Sequence, residues 1–563
     1  MLLSVALVLS FAACGKAPSG GNEAKETESG KSVEVKTDEQ VQEEKNEMGL
    51  VNILEIPNDE TRKSTKNTNE RYPHVEYAQG QTATELQPFN FSDNAKNTIR
   101  TEIYECLLDR VGAEEYVGRL AKNWEYEDDT HIVVEIYDYI VDCLGNEITA
   151  EDVKFSYELT ANSGYAQSFD NFDSIDVIDT YKVRIALKAP MTVLNDFYFI
   201  MCNVAIVDEG AYAEYDFSTE PKGTGPYVIS EFVNDGYVQM VVNENYWQTD
   251  ELCSVYAKRN VEEIRINFVK DAAMRLILLE EGKTIYNSSL PAADLHRFME
   301  GGDLYGKYTM TECNYVSVTS LLPNMSGDSP LSDVNLRLAC YYAVDTAAIV
   351  KALGTGATAV KVLCSPNTRD YNAEWSNAET YCSVYDPELA KEYLAKSNYK
   401  GEVLKLRSDV NQNKATIAQI VQQYLKQVGI ESEVIQDEFV MYTANQKDST
   451  AWDFLIANGG DINYAAATLN THQGVAKGKV EGLNLSLQYD ETLEKMISEL
   501  NTVEGNTVEN KNKAMDYIMS NALEYPIYSN YFIGALGEDV CDTCMWIMDP
   551  SIPLLGAWDY YLD

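Results

Sequence analysis

The sequence predicts an α/β fold, and three stretches predict it. Ile417, Ile420, Val421, Tyr424, Leu425 and Val428 form a helical apolar stripe, Gly429 caps it, and Ile430 to Ile435 reads as the next strand. Helix, glycine and strand in that order build α/β domains. Earlier, Ile132, Val134 and Ile136 alternate as on a half-buried strand, and Thr149-Ala-Glu-Asp152 is a capping box opening a short helix through Phe155 and Leu159. Gly223-Thr-Gly-Pro226 reads as a turn, and Tyr227–Ile229 and Val238–Val242 read as a hairpin around Asn234-Asp-Gly236.

At 563 residues the chain is too long for one compact core, so two or three domains are expected, and 45% hydrophobic residues supply them. With 89 acidic against 44 basic residues the net charge is −45. That excludes nucleic acid, whose binding needs a basic face. It also repels an anionic membrane surface, so membrane attachment would need a lipid. Of eleven cysteines, ten lie beyond Cys14, and their spacing leaves any disulfide pairing open. Cys541-Asp-Thr-Cys544 reads as a local disulfide or two packed thiols, because no His lies near enough in sequence to complete a zinc site.

Met1 leads into an apolar run from Leu2 to Phe11, broken only by Ser4 and Ser10 and ending in Ala12-Ala-Cys-Gly15. The run is too short to span a bilayer but suits the h-region of a secretory signal. Small residues before a Cys suit a lipoprotein signal peptidase, so residues 1–14 are expected to be cleaved away ahead of a lipidated Cys14. No Lys or Arg precedes the run, which reads as a start codon placed too late, and Phe11 stands where Leu is usual. An ordinary signal peptide with an incidental Cys14 is the alternative. Residues 15–71 read as an acidic flexible linker, with strand-like Leu50 to Leu54 inside it, and the folded body is expected to start near Tyr72.

Catalytic signatures are missing: no Gly-x-Ser-x-Gly, His-Glu-x-x-His, Walker loop or dinucleotide fingerprint occurs. His74, His131, His296 and His472 are far apart, and the many carboxylates single out no dyad. A binding protein is expected rather than an enzyme, with no cofactor and no metal.

Several segments, in order, resemble one family. These are Leu86-Gln-Pro88; Ile103-Tyr-Glu-Cys-Leu-Leu108; Leu120-Ala-Lys-Asn-Trp124; Ile148 to Phe155; Gly223-Thr-Gly-Pro-Tyr227 with Asn245-Tyr-Trp247; Ser332 to Arg337 with Ala343-Val-Asp345; and Asp386-Pro-Glu-Leu-Ala390. Together they resemble the extracytoplasmic solute-binding proteins of family 5, the oligopeptide- and dipeptide-binding lipoproteins of peptide-type ABC importers. The resemblance implies a two-lobed periplasmic-binding-protein-like fold with a hinge, of class II type, plus an extra inserted β-rich domain. Lobe I would take residues 72–99, 219–312 and 520–563, the insert 100–218, and lobe II 313–519.

It further implies a monomer on the outer face of the membrane that captures short peptides and passes them to an ABC permease and ATPase. In peptide-binding members the ligand pairs its backbone with protein strands, and a carboxylate takes its α-ammonium. Trp452-Asp-Phe-Leu-Ile-Ala-Asn-Gly-Gly-Asp461 fits that segment, which nominates Asp461 for the ammonium. Asn458, Gly459 and Gly460 stand before it, Tyr464 follows, and Phe439 would wall a side-chain pocket. Read without the family, Asp461 is a turn residue after two glycines and Phe439 a core aromatic. Trp452 and Asp453 read as structural, and Arg337 as holding a lobe together by ion pairing. A receptor for oligosaccharide or another small solute, a peptide sensor, and a hydrolase with an unrecognised carboxylate pair are the other readings.

Overall fold

The computed structural model describes residues 49–562 except 90–93, 112–114, 164–168, 170, 191–196, 250–253, 354–356, 367, 369, 378–384, 461–464, 467, 470–486, 488–489, 503 and 547–550. Order begins well before Tyr72. Strand β1 (Val51–Asn52) pairs in parallel with Thr311 and Glu312 of β13 (Thr309–Pro323). Ile53 and Ile56 are buried among Val75, Tyr286 and Leu536. Further along, Ser64 bridges to Tyr561, and the Asp59 N–H donates to the Tyr561 hydroxyl at 2.7 Å. The linker expected over 15–71 is therefore corrected at its far end. The strand-like stretch Leu50 to Leu54 supplies β1, and two buried isoleucines with backbone hydrogen bonds dock the polar residues that follow.

The first four-stranded sheet has the order β2 (Tyr72–Gln79), β11 (Val261–Phe268), β10 (Tyr237–Val242), β9 (Tyr227–Val233). Its β9–β10 pair is the expected hairpin, turned through Asp235 at φ 57°. Val238, Met240, Ile264 and Ile266 face its core. The second sheet is antiparallel, in the order β5 (Ala121–Asp128), β6 (His131–Ile136), β8 (Lys182–Leu187), β7 (Phe172–Asp179). Ile132, Val134 and Ile136 point inward as the alternation predicts. Helix Ala150–Asn162 packs on this sheet and opens with the capping box, Asp152 Oδ2 accepting from the Thr149 N–H at 2.8 Å. Two short ribbons are β3 (Leu108–Arg110) with β4 (Tyr116–Gly118), and β19 (Val540–Asp542) with β20 (Asp559–Tyr560). Helix Asn94–Ile103 runs unbroken across residue 100, so the boundary expected there falls inside a helix.

The main sheet runs β12 (Tyr286–Asn287), β18 (Tyr525–Leu536), β13, β17 (Phe454–Gly459), β15 (Leu404–Asp409), β16 (Ser432–Asp437). Strand β14 (Ala357–Ala359) edges β18. Helix Gln412–Val428 buries Ile417, Val421 and Leu425 and ends at Gly429, φ 93°. The following strand starts at Ser432 rather than Ile430. The Ile430 N–H bonds back to Leu425 O at 2.9 Å and that of Gly429 to Lys426 O, a Schellman cap that keeps Ile430 with the helix.

Arg337 makes a different bond from the one expected. Its guanidinium donates to the carbonyls of Leu331 (2.8 Å), Ser332 (3.0 Å) and Asn521 (3.0 Å), so it ties a turn to the end of helix Val508–Ser520 through carbonyls instead of ion pairing. Helix ends leave such acceptors open. Cys541 and Cys544 are free thiols; Cys541 donates to Asn58 Oδ1 at 3.1 Å, and burial pushes the Cys544 thiol up to about 12. No described helix is long and apolar enough to cross a membrane, and no described His, Cys, Asp or Glu group could hold a metal.

Candidate functional site

Strands β13 and β18 pair along almost their whole length and pass from one apolar cluster to another. At one end Met310, Ile533 and Ala535 pack with Leu276, Leu279 and Leu290. At the other Leu321, Tyr525, Ile527 and Tyr528 pack with Leu406, Ile417 and Phe454. In the middle the ladder breaks, Asn314 facing Tyr531 but Val318 facing Ser529.

Strands β15, β16 and β17 are parallel, so their carboxyl ends share one edge. That edge meets the break, because Gly459, the last residue of β17, pairs with Val318. The crevice outside the carboxyl ends of parallel strands is where open α/β sheets place ligands. Asn458 and Gly459 therefore stand at the crossing. The Asn458 side chain is exposed and its Oδ1 accepts from Thr319 Oγ1 at 2.9 Å, while Gly460 follows, exposed, beyond the strand. Phe439 begins helix Phe439–Asn445, two residues past the end of β16, and its side chain lies outside what the structure describes. Asp461 and Tyr464 lie outside the described residues, as does Cys14.

The charges at the strand ends are matched within the protein. Lys414 Nζ donates to Asp409 Oδ2 at 2.8 Å, and Arg407 pairs with Asp437, which also accepts from Asn445 Nδ2 at 3.1 Å. Just upstream, Asp453 accepts from Ser329 Oγ at 2.6 Å and the Lys405 N–H at 2.9 Å, while Trp452 is buried. Both are structural, as read. Two residues that the sequence did not single out meet the chain at Ala465: Asp370 accepts the Ala465 N–H at 2.7 Å and pairs with the buried Lys511. Three segments distant in sequence meet there, so no local pattern could have pointed to it.

Residues 115–477 match the family described as "Bacterial extracellular solute-binding proteins, family 5 Middle". The dipeptide-binding protein of Escherichia coli (strain K12) is 24% identical over 397 residues, 64% of this chain and 70% of that protein. Heme-binding protein A of Haemophilus influenzae is 24% identical over 401 residues, 65% of this chain and 70% of its own. Among solved structures, the periplasmic binding protein DppA from Helicobacter pylori in complex with peptide STSA superposes with a TM-score of 0.73 at 17% identity, covering 89% of this chain and all of that one. The two-lobed α/β binding-protein fold is thus the fold of this chain. The chain belongs to the bacterial extracellular solute-binding proteins of family 5, which are binding receptors and not enzymes.

Proposed function

We propose that the protein captures short peptides between its lobes and hands them to an ABC import permease and its ATPase. The observation that carries this reading is the meeting of the carboxyl ends of β15, β16 and β17 with the two crossing strands. An extended ligand there can pair its backbone with the strand end at Gly459 and Gly460, which is indifferent to side-chain identity. Asp461 takes the α-ammonium, Asn458 and Tyr464 flank it, and Phe439 lines a side-chain pocket. A diacylglycerol on Cys14 would hold the monomer at the outer face of the membrane. Lobe I takes 72–99, 219–312 and 520–563, lobe II 313–519, and the insert lies within 100–218, starting past the helix that ends at Ile103. Three apolar clusters, around Ile264, Ile132 and Ile417, support a division into three parts, although the first also takes in Ile53 and Ile56 and the last Tyr525, Ile527 and Tyr528.

The name of the Haemophilus relative favours a second reading, in which the same crevice takes a different solute. Calorimetric titration separates the two. Tri-alanine is expected to bind one to one, and N-acetyl-tri-alanine and the Asp461→Ala variant each to lose about tenfold or more, because the first leaves the carboxylate and the second the α-ammonium without its partner, at about 2 kcal/mol or more. Equal affinity for the free and acetylated peptides would refute the role of Asp461. No binding of either would refute the peptide reading.

A further inference from the structure

Four short strands grip the outer edges of the two crossing strands. On β13, β1 holds Thr311 and Glu312, and β17 holds Val318 to Pro323. On β18, β14 holds Tyr528 to Asn530, and β12 holds Ala535 and Leu536. Between these grips, residues 313–317 of β13 have no outer partner among the described strands, while on β18 the Leu290 N–H donates to Ile533 O at 2.8 Å. The register between β13 and β18 breaks within the same window. Bending concentrates where a ladder is irregular and ungripped, so β1 and β17 bracket the pivot on β13.

Strand β1 lies inside the strand-like stretch Leu50 to Leu54, although nothing in the sequence pattern pairs it with β13. It is anchored independently of its two ladder residues. The Ile53 N–H donates to Glu312 O at 3.1 Å, and Thr543 Oγ1 donates to Ile53 O. Ile53 is buried in the cluster of Tyr286 and Leu536, and Leu50 packs on the cluster of Leu276 and Leu290. Behind it the strap is stitched to the end of the chain. Arg62 lies over the Tyr561 ring at 3.7 Å, the Leu562 N–H donates to Lys63 O at 2.9 Å, the Tyr560 N–H donates to Thr65 Oγ1 at 2.9 Å, and Lys66 pairs with Asp542. Every one of these contacts lies on the side of the break that holds Met310 and Ile533.

We propose that residues 51–53 are a hinge clamp: they end the flexing part of β13 at Glu312 and so set where the lobes pivot. Without the clamp the flexing part extends back toward Thr309, and the ligand-free protein samples a wider range of lobe angles.

The test uses the full chain with ketone-bearing amino acids at the exposed Tyr305 and Val403, since eleven native cysteines rule out thiol labels. Distances between the two labels are read without ligand, so the outcome does not depend on what the crevice binds. Ile53→Pro removes the N–H given to Glu312 along with the buried side chain. It is expected to broaden the distance distribution, whereas Ile56→Ala lowers the unfolding temperature but leaves the distribution as it was. A distribution of unchanged width in Ile53→Pro overturns the proposal. Hydrogen exchange on the unsubstituted protein decides the matter even if Ile53→Pro does not fold. Amides of Thr309–Glu312 should exchange as slowly as those of Val318–Leu322, and rates for 309–312 equal to those for 313–317 overturn the clamp.

Discussion

Glu105 is buried and accepts from Arg119 Nε at 2.6 Å, the Tyr246 hydroxyl at 2.5 Å and Trp247 Nε1 at 2.6 Å. Two of the sequence segments that mark the family, Tyr104-Glu and Tyr246-Trp, are thus halves of one hydrogen-bonded junction. The Gly223-Thr-Gly225 segment is of the same kind: a Cβ at Gly223 would lie 2.0 Å from Ile103 O and one at Gly225 2.5 Å from Ile103 C, so both glycines let the chain close over the end of helix Asn94–Ile103. Glu102, on that helix, accepts the Gly556 N–H at 2.9 Å, and burial lifts its carboxyl from 4.5 to about 7. The folded state then keeps a proton that the unfolded chain releases above its ordinary value. Its contribution is full below about pH 4.5 and is lost as pH rises through about 7. Unfolding free energy should fall between pH 5 and pH 7.5 by about 2 kcal/mol more in the parent than in Glu102→Gln. An identical pH dependence in the two proteins contradicts this. The segments that carry the resemblance are therefore mostly structural junctions, whereas the residues nominated to touch ligand sit where the sequence departs most from the family.

At the scale of elements, the helix–glycine–strand unit and the 227–242 hairpin were legible because period and turn chemistry agree within one short stretch. Gly429 shows what such agreement rests on. Its φ is 93° and a Cβ there would meet nothing within 4 Å, so Gly429→Ala tests backbone conformation alone. Urea unfolding should show a loss of about 1 kcal/mol, with Gly429→Asn losing less. An unchanged midpoint in Gly429→Ala would mean that the Schellman cap does not matter. Strand β1 was not legible as a grip on the hinge. Two paired residues carry no periodicity, and their partner lies some 260 residues away in sequence. Arg337 was misread for a related reason: its acceptors are carbonyl groups at the ends of two elements, which side-chain charges do not reveal.

For the whole molecule, the two crossing strands explain why a chain of this size can close on a ligand. They are the shared members of one continuous sheet, with a core at each end and a break between, and three parallel strands deliver their carboxyl ends to that break. Membership of the extracellular solute-binding family points the same way, to a receptor working outside the cytoplasm. The central claim is that the crevice at the crossing holds short peptides. Native mass spectrometry of protein purified from cells grown in rich medium tests it most directly. The predicted spectrum shows adducts that, released by unfolding, sequence as short peptides of mixed composition, on a chain whose mass begins at a diacylglyceryl Cys14. Adducts of a single non-peptide mass, such as a porphyrin or an oligosaccharide, would contradict the account.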